Sequence, residues 1–350
     1  MRILHISDNC CIRVKKMAMA ARSRGKHWIG SLSIQNVSLG DYFDEAYYFH
    51  DPDSLAWQAR RIQADVYHVH NEPNYLVAKA IESQCGPVVW DVHDLDLVRF
   101  DHMPGAQNSE QEERMLAAHA EAVILPCKRY REILGLGTVL YSFCGKRHFG
   151  WNDDPKENLV LQGHVNADNR AGYWLDYRYV SEALARVGVD LHIQPAGHST
   201  GITYDTSRAL QYHFVPYEAM LEIISKHRWG LVCGGVPCPQ WQAAMPNKLF
   251  EYLARGVVPV VLWADEAAEF VTKRDIGVVL EKPEDAAKVL TEGTWQRCRK
   301  NLKRIRKDLM AETQGVKLIA IYEHAIGKWR ADKDKQEQEE KKQKREAAGG

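Results

Sequence analysis

Short apolar runs alternating with helix-period stretches, twice over, constrain this chain more than any other feature. Residues 3–7 read as a strand, and residues 13–24 as a helix closed by Gly25. Further strands fall at 66–69, 88–92 and 122–125, with helical stretches at 75–83 and 112–120. Strand, crossover helix and strand in succession build a parallel sheet covered on both faces. The rhythm breaks at Gly150-Trp151-Asn152-Asp153-Asp154-Pro155, a polar, turn-rich stretch suited to a linker. It restarts with strands at 159–162, 190–194, 230–232, 257–262 and 277–280, and helices at 179–187, 217–226 and 246–255. The expected class is α/β: two doubly wound domains, 1–150 and 151–311, then a helix over 312–331 and a charged tail over 332–350. Two such domains facing each other form a cleft at the carboxyl ends of their strands, where open parallel sheets bind ligands.

The charge balance narrows the function classes. Lys and Arg total 46 and Asp and Glu total 46, so bulk charge points to neither nucleic acid nor an anionic membrane. The eight cysteines form no Cys-x-x-Cys pair and no His-Cys metal spacing, and several sit in apolar runs as buried thiols. No apolar stretch is long enough for a membrane span or a secretory signal, so the expected location is the cytoplasm.

Local charge is another matter. Trp295, Cys298, Leu302, Ile305 and Leu309 make one apolar stripe at helical spacing. Around it stand Arg297, Arg299, Lys300, Lys303, Arg304, Arg306 and Lys307. This is either a solvated basic face or a dock for anionic lipid or DNA phosphate, the former the commoner case. A further helix follows at 315–329. The Lys/Glu/Gln stretch 332–346 is charge-balanced and reads as disordered or as a solvated extension of that helix.

The run Met245-Pro246-Asn247-Lys248-Leu249-Phe250-Glu251-Tyr252-Leu253-Ala254-Arg255-Gly256 carries the chemistry. Pro246 suits the first helical position and Gly256 the left-handed residue after the last turn. Leu249, Phe250 and Leu253 form an inward face. The first turn then presents backbone N–H groups and the positive end of the dipole to a diphosphate, with Lys248 adding a full charge. Glu251, one turn on, can accept from two ribose hydroxyls. The plainer alternative is a surface Lys248–Glu251 helix pair.

This segment, continued by Val-Val-Pro-Val-Val, resembles the nucleotide-binding segment of retaining glycosyltransferases with the GT-B fold, the large family-four type. The resemblance implies two Rossmann-like domains, a donor ribose on Glu251, and a diphosphate at the turn of Pro246, Asn247 and Lys248. Many members carry another Glu eight positions before that one; here the position is Ala243. Looser similarity covers most of residues 1–290. Ala64-Asp65-Val66-Tyr67-His68-Val69-His70-Asn71 is similar to a strand of the family's first domain. Val88-Val89-Trp90-Asp91-Val92-His93-Asp94 resembles the strand whose final His reaches the donor sugar, a role that falls on His93. Tyr212-His213-Phe214-Val215-Pro216-Tyr217-Glu218 resembles the loop passing the base, which places Phe214 there. An Arg and a Lys usually neutralise the diphosphate after the second domain's first strand; His164 and Arg170 are the candidates here. On the acceptor side stand Arg13, Lys15 and Lys16, whose plainer reading is a solvated helix face, together with His70.

The implied reaction moves a sugar from a UDP-sugar donor to an acceptor hydroxyl, with retention and with no metal or other cofactor. Envelope glycans or lipid-linked glycans come first as acceptors, which would make the protein peripheral at the membrane, and a hydroxymethylated base in DNA comes second. Three rivals stand beside it. A sugar-nucleotide epimerase shares the architecture, and a nucleotide-sugar binding module would suit the missing Glu at position 243. A metal-dependent hydrolase would use His68 and His70 with Glu72, His93 and Asp94.

Overall fold

The computed structural model describes residues 1–35, 42–71, 73–99, 107–165, 175–196 and 208–348. The chain forms two compact units. The first comprises Met1–Pro126, Tyr130–Leu140 and Gln314–Gly350; the second comprises Cys127–Arg129 and Tyr141–Thr313.

The first unit is built on seven strands: β1 (Arg2–Ser7), β2 (Trp28–Ser33), β3 (Glu45–Tyr48), β4 (Val66–His70), β5 (Val88–Asp91), β6 (Ala122–Leu125) and β7 (Thr138–Val139). Their order is β3-β2-β1-β4-β5-β6-β7 and every pairing is parallel. Ile3, Leu4, Ile6, Val66, Val69, Val89 and Ile124 are fully buried, as strands covered on both faces require. The order reverses between β1 and β4, and open parallel sheets bind ligands at the carboxyl ends of the strands beside such a reversal, here β1, β4 and β5. Local signals set the helix ends: Asp51 accepts from the Ser54 N–H at 2.8 Å, and Ser54 Oγ accepts from the Asp51 N–H at 3.0 Å, a capping box opening Pro52–Ile62.

The helix Gly315–Ala348 belongs to this unit. Leu318, Tyr322 and Ala325 are fully buried, and Gly315 lies so close to the Ala20 carbonyl that a Cβ would stand 2.4 Å from its oxygen. The charged stretch after Trp329 is the solvated extension of this helix, studded with pairs such as Glu337–Lys341 at 3.5 Å. No helix among the described residues is long and apolar enough to cross a membrane.

The second unit repeats the plan with β8 (Glu157–Gly163), β9 (Leu191–Pro195), β10 (Ala209–Gln211), β11 (His227–Val232), β12 (Val258–Leu262) and β13 (Val278–Leu280). The order is β10-β9-β8-β11-β12-β13, again all parallel, with its reversal between β8 and β11.

The basic helix Glu292–Ile305 departs from the simplest expectation. Arg299 and Arg306 stack over the Trp151 ring at 4.5 and 4.9 Å, and Lys303 approaches it at 5.6 Å. Arg299 also donates to the carbonyls of Asn152 and Asp153, and Arg306 to that of Gly150 at 3.1 Å. Arg297 pairs with Asp275 at 3.2 Å. Arg299, Lys303 and Arg306 clasp the segment that reads as a linker; Lys300, Arg304 and Lys307 remain exposed. Replacing Arg299 with Ala is expected to destabilise the second unit by about 1–2 kcal/mol through lost cation–π and charged hydrogen bonds. Scanning calorimetry checks this; a melting temperature equal to the parent's would refute it.

Candidate functional site: the carboxyl ends of the two sheets

In the second unit the helix Asn247–Arg255 opens beside the reversal point. Pro246 is its N-cap (φ −71°, ψ 150°), one residue before the position expected, because its extended ψ keeps it outside the helix. Its carbonyl accepts from the Leu249 N–H at 3.1 Å, while the N–H groups of Asn247 and Lys248 precede any intrahelical acceptor. Gly256 takes φ 73° and ends the helix; a side chain there would strike the Trp151 ring. Leu249, Phe250 and Leu253 are buried as expected. Tyr252 ties the helix to β8: its hydroxyl accepts from the Gln162 N–H at 2.9 Å and donates to the Val160 carbonyl at 3.2 Å. Gly230 on β11 makes room for that ring.

Lys248 and Glu251 are both buried, so they do not form the exposed helix pair that was the alternative. The Lys248 ammonium lies 3.5 Å from the Tyr177 hydroxyl and over the rings of Tyr177 and Trp241, at 5.4 and 5.1 Å. It borders Gly163, the last residue of β8, where a Cβ would stand 3.4 Å from Nζ. Burial pushes this amine down to about 8, and Cys233 and Glu251 only partly restore it. Glu251 accepts from the Tyr217 hydroxyl at 3.2 Å. His164 is exposed just beyond β8; Arg170 lies outside the described residues. Phe214 is 60% exposed on a loop held by Gln194, whose side-chain amide donates to the His213 carbonyl at 3.1 Å. Ala243 is buried at the end of Pro239–Ala243 and offers no carboxylate.

The first unit gathers imidazoles round one ion pair. Asp91 ends β5, and Arg13 on the helix Ile12–Arg22 donates to it from Nη2 at 2.6 Å and from Nε at 3.0 and 3.1 Å. Arg13 also donates to the Leu140 carbonyl at 3.2 Å. Asp91 Oδ2 faces His68 Nε2 at 3.4 Å, His70 Nδ1 at 3.2 Å and His93 Nε2 at 3.9 Å. His70 lies between His5 Nδ1 at 2.9 Å and His93 Nε2 at 3.0 Å. His68 Nδ1 meets the Tyr322 hydroxyl at 2.6 Å. Burial pushes His70 down to about 4 and His93 to about 3, and lowers His5 and His68 as well, so all four imidazoles are neutral at pH 7. Burial, the largest single influence, opposes ionisation of Asp91, but the Arg13 guanidinium and the His68 and His70 imidazoles together outweigh it and hold the carboxyl well below the usual range. Two sets, His5–His68–His70 and His70–Asp91–His93, bring possible metal-ligand atoms within 4.8 Å of one another.

Of the residues expected on the acceptor side, Arg13, Lys16 and His70 are all buried, and Arg13 is engaged by Asp91. Both nitrogens of His93 are turned towards side chains of this unit, Nε2 to His70 and Nδ1 to Cys11 Sγ at 3.7 Å. Of the hydrolase set, Glu72 lies outside the described residues, and Asp94 accepts from the Tyr130 hydroxyl at 3.3 Å.

No family model matches the sequence, and no curated protein matches it. Solved structures do. HepE of Anabaena, in complex with UDP and glucose, aligns with a TM-score of 0.69 at 13% identity, over 91% of this chain and 99% of its own. Sucrose-phosphate synthase of Thermosynechococcus elongatus aligns with a TM-score of 0.71 at 13% identity, over 93% and 99%. The chain has the GT-B fold. A Listeria monocytogenes protein assigned as a UDP-N-acetylglucosamine 2-epimerase shares GT-B too, with a TM-score of 0.55 at 12% identity, over 91% and 95%. GT-B therefore frames the chemistry without choosing it, and the choice falls to the side chains.

Sequence reasoning missed several side chains within this GT-B frame. Asp91 carried a signal, since a carboxylate inside Val-Val-Trp-Asp-Val is buried and needs a partner. His5, within the apolar Ile-Leu-His-Ile of β1, carried the same one. Tyr177, Tyr217, Trp241 and Tyr322 had none, because only the tertiary fold brings them to Lys248, Glu251 and His68.

Proposed function

We propose that this chain is a glycosyltransferase that moves a sugar from a UDP-sugar to an acceptor hydroxyl, with retention and with no metal on the diphosphate. The observation that carries the reading is the buried Lys248 at the opening turn of Asn247–Arg255, with buried Glu251 one turn on. HepE, a GT-B neighbour, binds UDP and glucose, which supports the choice of donor.

In this reading the bond from the sugar's anomeric carbon to the diphosphate oxygen breaks, and UDP leaves with the electron pair. The acceptor oxygen bonds to that carbon and passes its proton to the departing diphosphate oxygen. Charge grows on the leaving diphosphate, where the N–H groups of the Pro246–Asn247–Lys248 turn and the Lys248 ammonium stabilise it. His164 and Arg170 are further candidates for the diphosphate. Glu251 accepts from the ribose hydroxyls, held by Tyr217, and Phe214 covers the base. His93 meets the sugar along the exposed edge of its ring, and His70 and Arg13 hold it in place from behind through Asp91. Lys16, buried in the same helix as Arg13, supports that frame. The acceptor class is an envelope or lipid-linked glycan, approached with Lys300, Arg304 and Lys307 towards an anionic membrane; a DNA acceptor is the competing outcome.

A thermal-shift screen of uridine, guanosine, adenosine and thymidine diphosphate sugars tests the donor. A UDP-sugar is expected to give the largest shift, and no shift with any donor would sink the reading. Incubation with donor alone separates transfer from epimerisation, because an epimerised donor would move the epimerase ahead. Glu251→Ala is expected to weaken UDP binding roughly 10- to 150-fold by calorimetry, the 1.5–3 kcal/mol of a charged hydrogen bond. The UDP affinity of the parent is expected to be unchanged by EDTA; an EDTA-sensitive affinity would overturn the metal-free diphosphate.

A further inference from the structure

Three imidazoles facing one carboxylate oxygen, with His5 behind His70, are more than that carboxylate needs, since Arg13 already neutralises Asp91. We propose that His70 Nδ1, His93 Nε2 and Asp91 Oδ2 form a binding site for one divalent transition-metal ion of the zinc class. The proposal lies beyond the transfer reaction and does not depend on it.

Spacing is the first argument. The three atoms stand 3.0, 3.2 and 3.9 Å apart. An ion with bonds of about 2.0–2.1 Å in tetrahedral geometry sets its ligand atoms roughly 3.4 Å apart, and the three separations bracket that value. Hydrogen bonding alone explains the triangle poorly. A neutral imidazole has one N–H, so the proton on His70 Nδ1 cannot serve Asp91 and His93 fully at once.

The outer partners are the second argument. An imidazole that ligates through one nitrogen donates from the other to a fixed acceptor. His70 Nε2 meets His5 Nδ1 at 2.9 Å, and His93 Nδ1 meets Cys11 Sγ at 3.7 Å. Arg13 anchors Asp91 through Oδ1 at 2.6 Å and more weakly through Oδ2 at 3.1 Å, with Oδ2 on the side that faces the imidazoles. Each of the three ligands is thus oriented from behind.

A crowded oxygen is the third. His68 is fully buried, and its Nε2 also faces Asp91 Oδ2, at 3.4 Å, so three imidazole nitrogens converge on one carboxylate oxygen. The open side of the site lies at His93, whose side chain is 17% exposed and gives an ion its way in.

Charge selects the ion. With one carboxylate, and the Arg13 cation on it, magnesium or calcium would lack the anionic oxygens that hold hard ions. Two imidazoles favour a zinc-class ion, whose affinity comes from nitrogen donors. Such an ion would fasten β4 to the end of β5.

The test uses the full chain, stripped with EDTA and dialysed. Zinc titrated by calorimetry is expected to bind at one ion per chain and to raise the melting temperature. Cobalt is expected to give the visible absorption of a four- or five-coordinate site. His93→Gln, at the half-open edge, is expected to lose more than about 100-fold in zinc affinity and to lose the cobalt spectrum. His192→Gln, which alters the second unit's His192–His227 pair (2.8 Å), is expected to bind zinc like the parent. Parent protein that binds neither ion at micromolar concentration would overturn the site, as would a His93→Gln protein that binds zinc as tightly. UDP binding measured on the same samples keeps the two readings apart. Zinc bound without UDP would count against the transferase only, and UDP bound without zinc against this site only.

Discussion

Asp91→Asn is expected to remove about 3–5 kcal/mol from the stability of the first unit, the cost of stranding a buried charge. Asp91 is fully buried and Arg13 is 2% exposed. The guanidinium makes three contacts of 2.6–3.1 Å with this carboxylate, and it also donates to the neutral Leu140 carbonyl. An amide of the same size fills the space but removes the charge, and water cannot reach Arg13 to replace it. Chemical denaturation in EDTA reads the loss without interference from bound metal. A loss under about 1 kcal/mol would show that the pair is not held as the structure has it. The double variant Arg13→Met with Asp91→Leu is expected to recover much of the loss, because both desolvated charges disappear together.

Lys248→Met is expected to lower the rate of transfer roughly 100- to 1,000-fold, the range for removing one fixed donor from a developing anion. A rate within about threefold of the parent's would take Lys248 out of the reaction. Its acid–base behaviour supplies a second readout. Burial brings the amine down to about 8 in the empty site, so UDP affinity is expected to fall as pH rises through that value. The Met variant is expected to lose that dependence. Stability moves the other way. Between pH 8 and the ordinary lysine value near 10.5, the unfolded chain keeps a proton that the folded chain has shed. The stability of the empty protein therefore rises with pH across that window, and the Met variant lacks the rise.

The central strands were legible because each is a short apolar run whose length and flanking turns are local properties; β2, β3, β7 and β10, which are short or carry polar residues, were not read from the sequence. The same holds for Asn247–Arg255, closed by a glycine at φ 73°. Side-chain partners were not legible where the chain separates them widely. Arg13 meets Asp91 across 78 positions and His68 meets Tyr322 across 254, and no periodicity records either. Lys16 shows the limit most plainly. A lysine on a helix after the first strand reads as solvated, yet it is fully buried. The basic helix was misleading for the opposite reason: its stripe identifies the apolar face correctly, but flat guanidinium groups also pack on Trp151, which a polar-or-apolar scale cannot anticipate.

The helix that begins at Gly315 puts residues late in the sequence, Leu318, Tyr322 and Ala325, into the core of the first unit, and this has a consequence for synthesis. A chain emerging from the ribosome presents β1 to β7 long before Leu318, Tyr322 and Ala325 exist to cover them. Until then His68 lacks its hydroxyl partner and the sheet has one bare flank. The second unit, complete by Thr313, can close first. Folding would then run against the order of translation, and a nascent chain stalled before Gly315 would be a target for chaperones.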